Sequence, residues 1–314
     1  MKILYLVVTY NPSDRNPEYT SLSGFPYRNL RSVRDMVKYS SHEVTVAVVD
    51  CASGGKSRDV MRQFKRDEFK SLKLAFGPDL SSYQATNLAI ARLGCQFDQL
   101  FYSVSDVIVE SPSEFDETVA SFNSDLKCLM LYLQAEPGLC LPGGRIKDQW
   151  FSKMPMHSGV HHNCHAVKRQ WVDFYDGRLF MDIFDSSCVE PYMGYLCHAQ
   201  GGYRKISRTL RYKHLCNEVL RDRRSAHSHL KNKVRGDSHF APTPRLKRDI
   251  EQLIAGAASA GAVFDGAVST GIPDVADVFE LPPKSQARMA KAIRKHLFLT
   301  PKELDYGSLQ MEIE

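Results

Sequence analysis

The sequence predicts an α/β fold with a mostly parallel central sheet and helices on both of its faces. Apolar runs typical of buried strands alternate with amphipathic helical patterns through the first half of the chain. Polar residues directly follow several predicted strands, where open α/β sheets bind their ligands. With 314 residues, 43% of them hydrophobic, the chain is long enough for one large domain of this kind with an appendage.

Predicted strands and helices alternate regularly up to residue 133. The first strand, residues 3–9, is a continuous apolar run with β-branched residues, which is typical of a strand buried on both faces. The other strands are predicted over residues 44–49, 72–76, 99–104 and 127–133. Apolar residues at helical spacing predict helices over residues 23–39, 58–69, 83–93 and 113–122. Such alternation is typical of parallel strands joined by helical crossovers.

The pattern is less regular after residue 133. Pro and Gly are frequent over residues 134–156, which we interpret as a long loop or a crossover. We then predict a strand over residues 160–167, a helix near 189–199 and two short strands over 203–206 and 209–212.

The last hundred residues differ in composition from the rest. Residues 221–248 are strongly basic, residues 255–271 are rich in Ala and Gly, and residues 285–297 predict a basic amphipathic helix. We therefore expect an irregular, partly helical C-terminal extension.

Composition limits the classes of function. The formal net charge of +5 is compatible with a polyanionic partner or a membrane surface, although mild basicity is more often a solvated face. No apolar run is long enough to span a membrane, and the N-terminal apolar run is too short for a signal peptide. The eight cysteines include no CxxC pair, so we expect reduced thiols, no zinc ribbon and a cytoplasmic location.

Four segments with polar residues carry a family resemblance. They are 9–15 (TYNPSDR), 49–55 (VDCASGG), 82–90 (SYQATNLAI) and 100–109 (LFYSVSDVIV). In these segments the chain resembles the family 2-type glycosyltransferases of the GT-A fold, which use nucleoside-diphosphate sugars. The resemblance continues to about His214. It implies a nucleotide-sugar-binding half over residues 1–133 and an acceptor-side half over 134–248. The resemblance gives no guidance for residues 249–314, which we predict as the partly helical C-terminal extension.

The resemblance implies a donor site built mainly from strand ends. From the residues alone, Asp50 can accept hydrogen bonds from a base or a ribose, and the glycines after Ser53 allow close approach of a ligand. The alternative is an Asx-capped turn between a strand and a helix. The residues expected to bind the nucleotide-sugar are Thr9, Tyr10, Asn11, Asp50, Ser53, Asn87 and Ser105.

Asp106 is the candidate ligand for a divalent cation, Mn²⁺ or Mg²⁺. A diphosphate leaving group needs a hard cation to neutralise its developing charge, and carboxylates at a strand end supply oxygen ligands for it. The family has an Asp-x-Asp pattern, of which only the last carboxylate is present here. His214 matches the late metal-binding His of some relatives, although a surface His is equally compatible. The alternative for Asp106 is the N-cap of the following predicted helix.

Two acidic residues are candidates for the catalytic base. Glu190 matches the position of the carboxylate that deprotonates the acceptor hydroxyl in inverting relatives, and Asp185 is its rival. Both could instead be acids at a helix N-terminus, favoured by the helix dipole.

Other functions are compatible with parts of the sequence. A sugar-nucleotide synthase would share the α/β architecture, but it would have a Gly-rich first loop with a basic residue. The basic residues 221–248 would suit a nucleic-acid-binding protein or a glycosyltransferase that modifies DNA bases. Residues 285–297 could contact a membrane surface peripherally, or pack on the main domain. Under the leading interpretation, the partners are a sugar donor and a glycan, lipid-linked or other hydroxyl acceptor.

Overall fold

The computed structural model describes residues 1–80, 82–135, 164–180, 193, 202–215 and 306–314. The strands are β1 (Lys2–Thr9), β2 (Glu43–Cys51), β3 (Lys73–Gly77), β4 (Gln99–Val104), β5 (Val107–Glu110), β6 (Cys128–Ala135), β7 (Cys164–Lys168), β8 (Tyr203–His214) and β9 (Glu312–Ile313). The α-helices are α1 (Phe25–Tyr39), α2 (Gly55–Asp67), α3 (Ser82–Leu93), α4 (Phe115–Ser124) and α5 (Arg169–Phe174). Short 3-10 turns cover Pro12–Asp14, Pro17–Thr20 and Pro112–Glu114.

The described strands form one mixed sheet in the order β5-β8-β6-β7-β4-β1-β2-β3-β9. Its centre, β4-β1-β2-β3, is parallel throughout, which confirms the predicted α/β class. Antiparallel pairs join β7 to β4 and to β6, β8 to β5, and β9 to β3, whereas β6 and β8 run parallel.

The hydrophobic core lies on both faces of the sheet. Leu4, Leu6 and Val8 of β1 belong to one cluster of buried residues, and Ile3, Tyr5 and Val7 belong to another. Because side chains alternate between the faces of a strand, a strand covered on both faces must be apolar at every position. The continuous apolar run of β1 therefore places it at the centre of the sheet.

Several elements differ from the sequence prediction. The segment after residue 106 forms β5, which was not predicted as a strand. The two short strands predicted over residues 203–206 and 209–212 are one strand, β8, because β6 pairs with both parts, at residues 203–207 and 211–212. β5 pairs with the last part of β8, residues 211–214. The predicted helix near 189–199, the basic segments 221–248 and 285–297, and both acidic candidates, Asp185 and Glu190, lie outside the described residues, apart from position 193.

Residues 306–314 return to the main sheet. β9 pairs antiparallel with β3, with Ala75 opposite Ile313 and Phe76 opposite Glu312. Backbone hydrogen bonds of 2.9 Å join Leu74 and Glu314 in both directions. The described part of the predicted extension is thus an edge strand of the same sheet.

Two sequence-based expectations can be compared with the described residues as a whole. Among the described helices, none combines the length and the apolar character needed to cross a membrane. The described cysteines at positions 51, 95, 128 and 164 are free thiols.

Candidate functional site

The carboxyl ends of three neighbouring parallel strands bring most of the candidate residues to one edge of the sheet. Thr9 at the end of β1 lies opposite Asp50 at the end of β2, and Val8 lies opposite Val104 at the end of β4. The N–H of Ser105 donates to the carbonyl of Val8 at 3.0 Å. The turn with Ser105 and Asp106 therefore adjoins the end of β1, with Asp50 on its other side.

Asn11 fastens the loop after β1 to the loop after β2. Its backbone N–H donates to Ser53 Oγ at 2.8 Å, and its carbonyl accepts from the N–H of Gly54 at 3.0 Å. Its side-chain amide donates to Ser57 Oγ at 2.9 Å and to the carbonyl of Asn16 at 3.0 Å. These contacts use Asn11 and Ser53 to hold the loops together, whereas both were predicted to bind the nucleotide-sugar, a role that stays a prediction.

Both loops contain residues in the left-handed backbone region. Ser13, Asp14 and Ala52 have φ values of 56°, 53° and 56°. Non-glycine residues adopt this region at an energetic cost and persist there only when their surroundings enforce it. Here the hydrogen bonds of Asn11 and Asp14 provide that enforcement, so the loops are held in one conformation at the edge where a ligand would bind.

Asp14 caps the N-terminus of α2. Its carboxylate accepts from the N–H groups of Lys56 at 3.0 Å and Ser57 at 2.9 Å, and from Ser57 Oγ at 2.6 Å. Burial acts to raise the pKa of Asp14, but the hydrogen bonds from Ser57 and Lys56 hold it below its ordinary value. A helix N-terminus is an ordinary site for phosphate groups. At α2 that position is already filled by Asp14, so a diphosphate would have to bind elsewhere.

Gly54 makes room for this cap. A Cβ at Gly54 would lie 2.4 Å from the carboxylate carbon of Asp14, whereas a Cβ at Gly55 would meet nothing within 4 Å. We expect Gly54→Ala to lower the free energy of unfolding by about 1–3 kcal/mol, because the carboxylate must leave the helix N-terminus. Gly55→Ala, the matched control in the first turn of α2, should be neutral or stabilising. Urea denaturation measures both, and equal effects of the two substitutions would contradict this account.

Asp50 is fully buried at the end of β2. Thr9 Oγ1 donates to Oδ1 at 3.4 Å, and the Ser53 N–H and Arg58 Nε donate to Oδ2 at 3.1 and 3.2 Å. Burial raises the pKa of Asp50 above its ordinary value, although Ser53 and Arg58 act in the opposite direction. The Ser53 contact is the Asx-type turn given as the alternative for Asp50. The Asp50 side chain is 0% exposed and that of Arg58 is 27% exposed, so Arg58 is the accessible member of the pair.

Asp50→Asn is expected to remove one pH-dependent contribution to stability. Because folding raises the pKa of Asp50, this contribution is fully present below the unfolded pKa of about 3.9 and is lost as the pH rises through the folded pKa. The free energy of unfolding of the Asn variant, relative to that of the wild type, should therefore increase over this range and then become constant. Urea titrations of both proteins at several pH values measure the difference, and a difference that falls with pH would contradict the raised pKa.

Tyr10 is a half-buried aromatic residue that directly follows β1. Burial raises the pKa of its hydroxyl, and the neighbouring carboxylate of Asp79 acts in the same direction. A partly exposed ring at a strand end suits stacking against a base. This placement is compatible with the predicted role of Tyr10 in nucleotide binding.

Asp106 lies in the turn between β4 and β5. Since β5 separates it from α4, Asp106 is not the N-cap of that helix, and this alternative is wrong. The carbonyl of Asp106 accepts from the N–H of Leu215 at 2.8 Å, and Val107 lies opposite His214 in the β5–β8 pair. The backbone therefore brings positions 106 and 214 together, as a shared metal site would need, while the side chain of His214 lies outside the described part.

The described side chains near this turn fit a cation only in part. A carboxylate is the donor that Mg²⁺ and Mn²⁺ prefer, so Asp106 suits a cation that a diphosphate also coordinates. Within the described ranges there is no group of three or more His, Cys, Asp and Glu residues that could hold a metal ion.

Tyr19 connects the loop after β1 to the Asp106 turn. Its hydroxyl lies 3.0 Å from Ser105 Oγ, and its carbonyl accepts from the hydroxyl of Tyr27 at 3.1 Å. Its ring also packs edge-to-face against Phe25, with the ring centroids 5.0 Å apart. Ser105, predicted to bind the donor, thus contacts the first loop through Tyr19.

Asn87 has a structural role that the sequence did not predict. Its Oδ1 accepts from the N–H groups of Leu179 at 2.9 Å and Phe180 at 3.1 Å, and its Nδ2 donates to the carbonyl of Phe180 at 2.9 Å. The amide therefore satisfies backbone groups of the segment after α5.

A cleft of 700 Å³ lies beside Asn87, at the other end of α3 from the strand-end residues. Residues of the α3 C-terminus, the segment that precedes β4, and the region around α5 line this cleft, together with Tyr306 and Gly307. Neither Asp50 nor Asp106 lines it. The cleft is therefore separate from the candidate donor site.

Three residues of the site were not singled out from the sequence: Asp14, Tyr19 and Arg58. Asp14 and Tyr19 lie in the loop after β1, and their partners are more than 40 residues away in sequence. Arg58 had a recognisable signal, because a basic residue one turn into a helix that follows a buried strand-end Asp can pair with it.

Solved structures of low sequence identity are similar to this chain. No protein-family model matches it, and no curated protein sequence is significantly similar to it. The mannosyltransferase PcManGT from Pyrobaculum calidifontis, solved with GDP-Man and Mn²⁺, matches with a TM-score of 0.49 and 16% identity over 95% of this chain and 86% of its own. TarS from S. aureus matches with a TM-score of 0.48 and 11% identity over 95% of this chain and 72% of its own. TarS has also been solved with UDP-GlcNAc.

A protein of different chemistry is also among the similar structures. It is a Bacillus anthracis protein described as a glucose-1-phosphate thymidylyltransferase, with a TM-score of 0.44 and 9% identity over 67% of this chain and 88% of its own. Similarity at this level carries no information about the substrate.

Proposed function

We propose that this chain is a glycosyltransferase that moves a sugar from a nucleoside-diphosphate sugar to an acceptor hydroxyl, with a divalent cation on the diphosphate. The observation that carries the proposal is the placement of Tyr10, the Asp50–Arg58 pair and Asp106 around the carboxyl ends of adjacent parallel strands. In open α/β sheets this edge is the ordinary binding place for nucleotides. Three of the four segments of the family resemblance, residues 9–15, 49–55 and 100–109, include this edge.

The residues at this edge bind different parts of the donor. Tyr10 stacks on the base, and Arg58, held in place by the buried Asp50, binds the base or the ribose. Because Asp14 occupies the N-terminus of α2, the diphosphate extends the other way, toward Asp106. Asp106 and His214 hold the cation, Mn²⁺ or Mg²⁺, which neutralises the charge that develops on the leaving diphosphate.

The acceptor is activated from the second half of the chain. In this proposal Glu190 accepts the proton of the acceptor hydroxyl as the new glycosidic bond forms, with Asp185 as the alternative base. The deprotonated acceptor oxygen then attacks the anomeric carbon from the face opposite the diphosphate. The bond from that carbon to the diphosphate breaks, and the anomeric centre is inverted.

Titration with nucleotide-sugars tests the proposal directly. Calorimetry with UDP, GDP and their sugars, in the presence of Mn²⁺ or Mg²⁺, should show saturable binding. Labelled donors should then release nucleoside diphosphate and pass their sugar to a hydroxyl acceptor, or slowly to water. Failure to bind every nucleoside diphosphate tested would remove the proposal. Tight, strongly salt-dependent binding of DNA without any turnover would favour the nucleic-acid-binding alternative instead.

A further inference from the structure

Residues 306–314 run from the C-terminal end of α3 to the edge of β3, the strand next to β2 in the sheet. Arg92 donates to the backbone carbonyls of Tyr306, Gly307 and Leu309 over distances of 2.5 to 3.1 Å. The β9 strand then pairs with β3. The segment is thus fastened at its start by a side chain and at its end by a strand pair.

Arg62 of α2 holds the end of this segment by charge. Its guanidinium lies 2.7 Å from Glu314 Oε1 and 3.5 Å from Glu312 Oε1. The Arg62 side chain is 39% exposed and that of Glu314 is 30% exposed, so each ion pair alone is weak. Two carboxylates on one guanidinium nevertheless fix where that guanidinium lies.

Phe76 links this charge cluster to the donor site. The guanidinium carbons of Arg62 and Arg58 lie 4.9 and 5.1 Å from the centre of its ring, within cation–π range of both. The two arginines are one helical turn apart on α2, where like charges repel. The carboxylates of Glu312 and Glu314 offset that repulsion at Arg62, which allows Arg58 to lie on the same ring and reach Asp50 at 3.2 Å.

We infer that residues 306–314 form a positioning element of the donor site, acting through Arg62 and Phe76 on the Arg58–Asp50 pair. The inference rests on the proposed function, because it assigns the docked segment to nucleotide affinity. When the segment is docked, Arg58 is held against Asp50 in the arrangement that receives the nucleotide. When it is undocked, Arg62 loses Glu312 and Glu314 and keeps Asp59 of its own helix at 3.5 Å. It then competes with Arg58 for the Phe76 ring and for Asp50.

Nucleotide affinity of a set of α2 variants tests the inference. Arg62→Gln and Glu314→Gln should each weaken the binding of UDP or GDP by about fivefold, at the lower end of ordinary coupling between sites. The double variant should be no weaker than either single variant, because both remove the same ion pair. Arg66→Gln is the matched control: it removes the same charge one turn further along α2, where the partner is Asp67.

Hydrogen exchange of the wild-type chain gives a second readout that needs no substitution. Coupling is reciprocal, so nucleotide must stabilise the docked segment by the same factor by which docking strengthens nucleotide binding. The amides of Leu74 and Glu314, which bond to each other's carbonyls, should therefore exchange about fivefold more slowly with nucleotide bound. If the role of Arg62 is purely structural, Arg62→Gln should lower the melting temperature but leave the nucleotide affinity unchanged, and bound nucleotide should not slow the exchange of these amides.

The outcomes separate this inference from the proposed function. If the wild type binds nucleotide but Arg62→Gln binds it equally well, or if Arg66→Gln weakens binding as much, the inference is wrong and the proposed function stands. If the wild type binds no nucleoside diphosphate, the proposed function fails, and the inference fails with it.

Discussion

Asp106→Asn is expected to abolish divalent-dependent sugar transfer while the chain stays folded. The substitution keeps the size of the side chain and removes the charge that a cation needs. Loss of one group that stabilises developing charge typically slows catalysis by about 100- to 1,000-fold. The fold should tolerate the change, because a neutral amide is less costly to bury than a carboxylate and Asp106 is only 2% exposed.

The experiment measures initial rates against Mn²⁺ and Mg²⁺ concentration, together with the circular dichroism melting temperature. Asp98→Asn is the matched control, because Asp98 directly precedes β4 whereas Asp106 follows it. The Oδ2 atom of Asp98 accepts from the backbone N–H of Lys2 at 2.7 Å. The control should transfer sugar at the wild-type rate. Full activity of Asp106→Asn with either cation present would rule out the metal role.

Glu190→Gln is expected to lower the rate of transfer by about 100-fold or more, the loss typical of removing a general base. Donor affinity should be unchanged, because the base acts on the acceptor. The rate should also lose the part of its pH dependence that reports the ionisation of this carboxyl. Single-turnover rates over a pH series, alongside calorimetry with the donor nucleotide, measure both quantities.

Asp185→Asn is the comparison for Glu190→Gln, since it makes the same change five residues away. If Asp185→Asn slows transfer and Glu190→Gln does not, the base is Asp185. If neither variant slows transfer, the enzyme does not invert by this route, and the proposal for the acceptor half is wrong.

The centre of the sheet could be predicted from the sequence because each of its strands is a local signal. A continuous apolar run such as that of β1 has one favourable environment, a strand covered on both faces, and that environment also fixes where its carboxyl end lies. Asp50 and Asp106 were therefore identified as strand-end residues without knowledge of any tertiary contact.

The remaining parts of the site depend on contacts that no local pattern encodes. Asn87 was expected to bind the donor because the family resemblance includes a buried Asn in this helix, and that role stays a prediction. Its hydrogen bonds to backbone groups of residues 179 and 180 depend on a contact between distant parts of the chain. Asp14 was overlooked because its role requires an uncommon left-handed backbone conformation. Strand β9 is only two residues long, too short for any periodicity, and its pairing is decided by Arg62 and the exposed edge of β3.

The late position of β9 in the chain has a consequence during synthesis. Arg62 and Glu314 are 252 residues apart. At about 5–20 residues per second, roughly 13–50 s pass between the synthesis of these two residues, and the edge of β3 has no β9 to pair with until the end of that interval. Through that interval the nascent chain presents the unpaired backbone groups of this edge, which is of the kind that templates pairing with a second chain. Binding factors that cover nascent strand edges should therefore matter more for the yield of this protein than for its stability once folded.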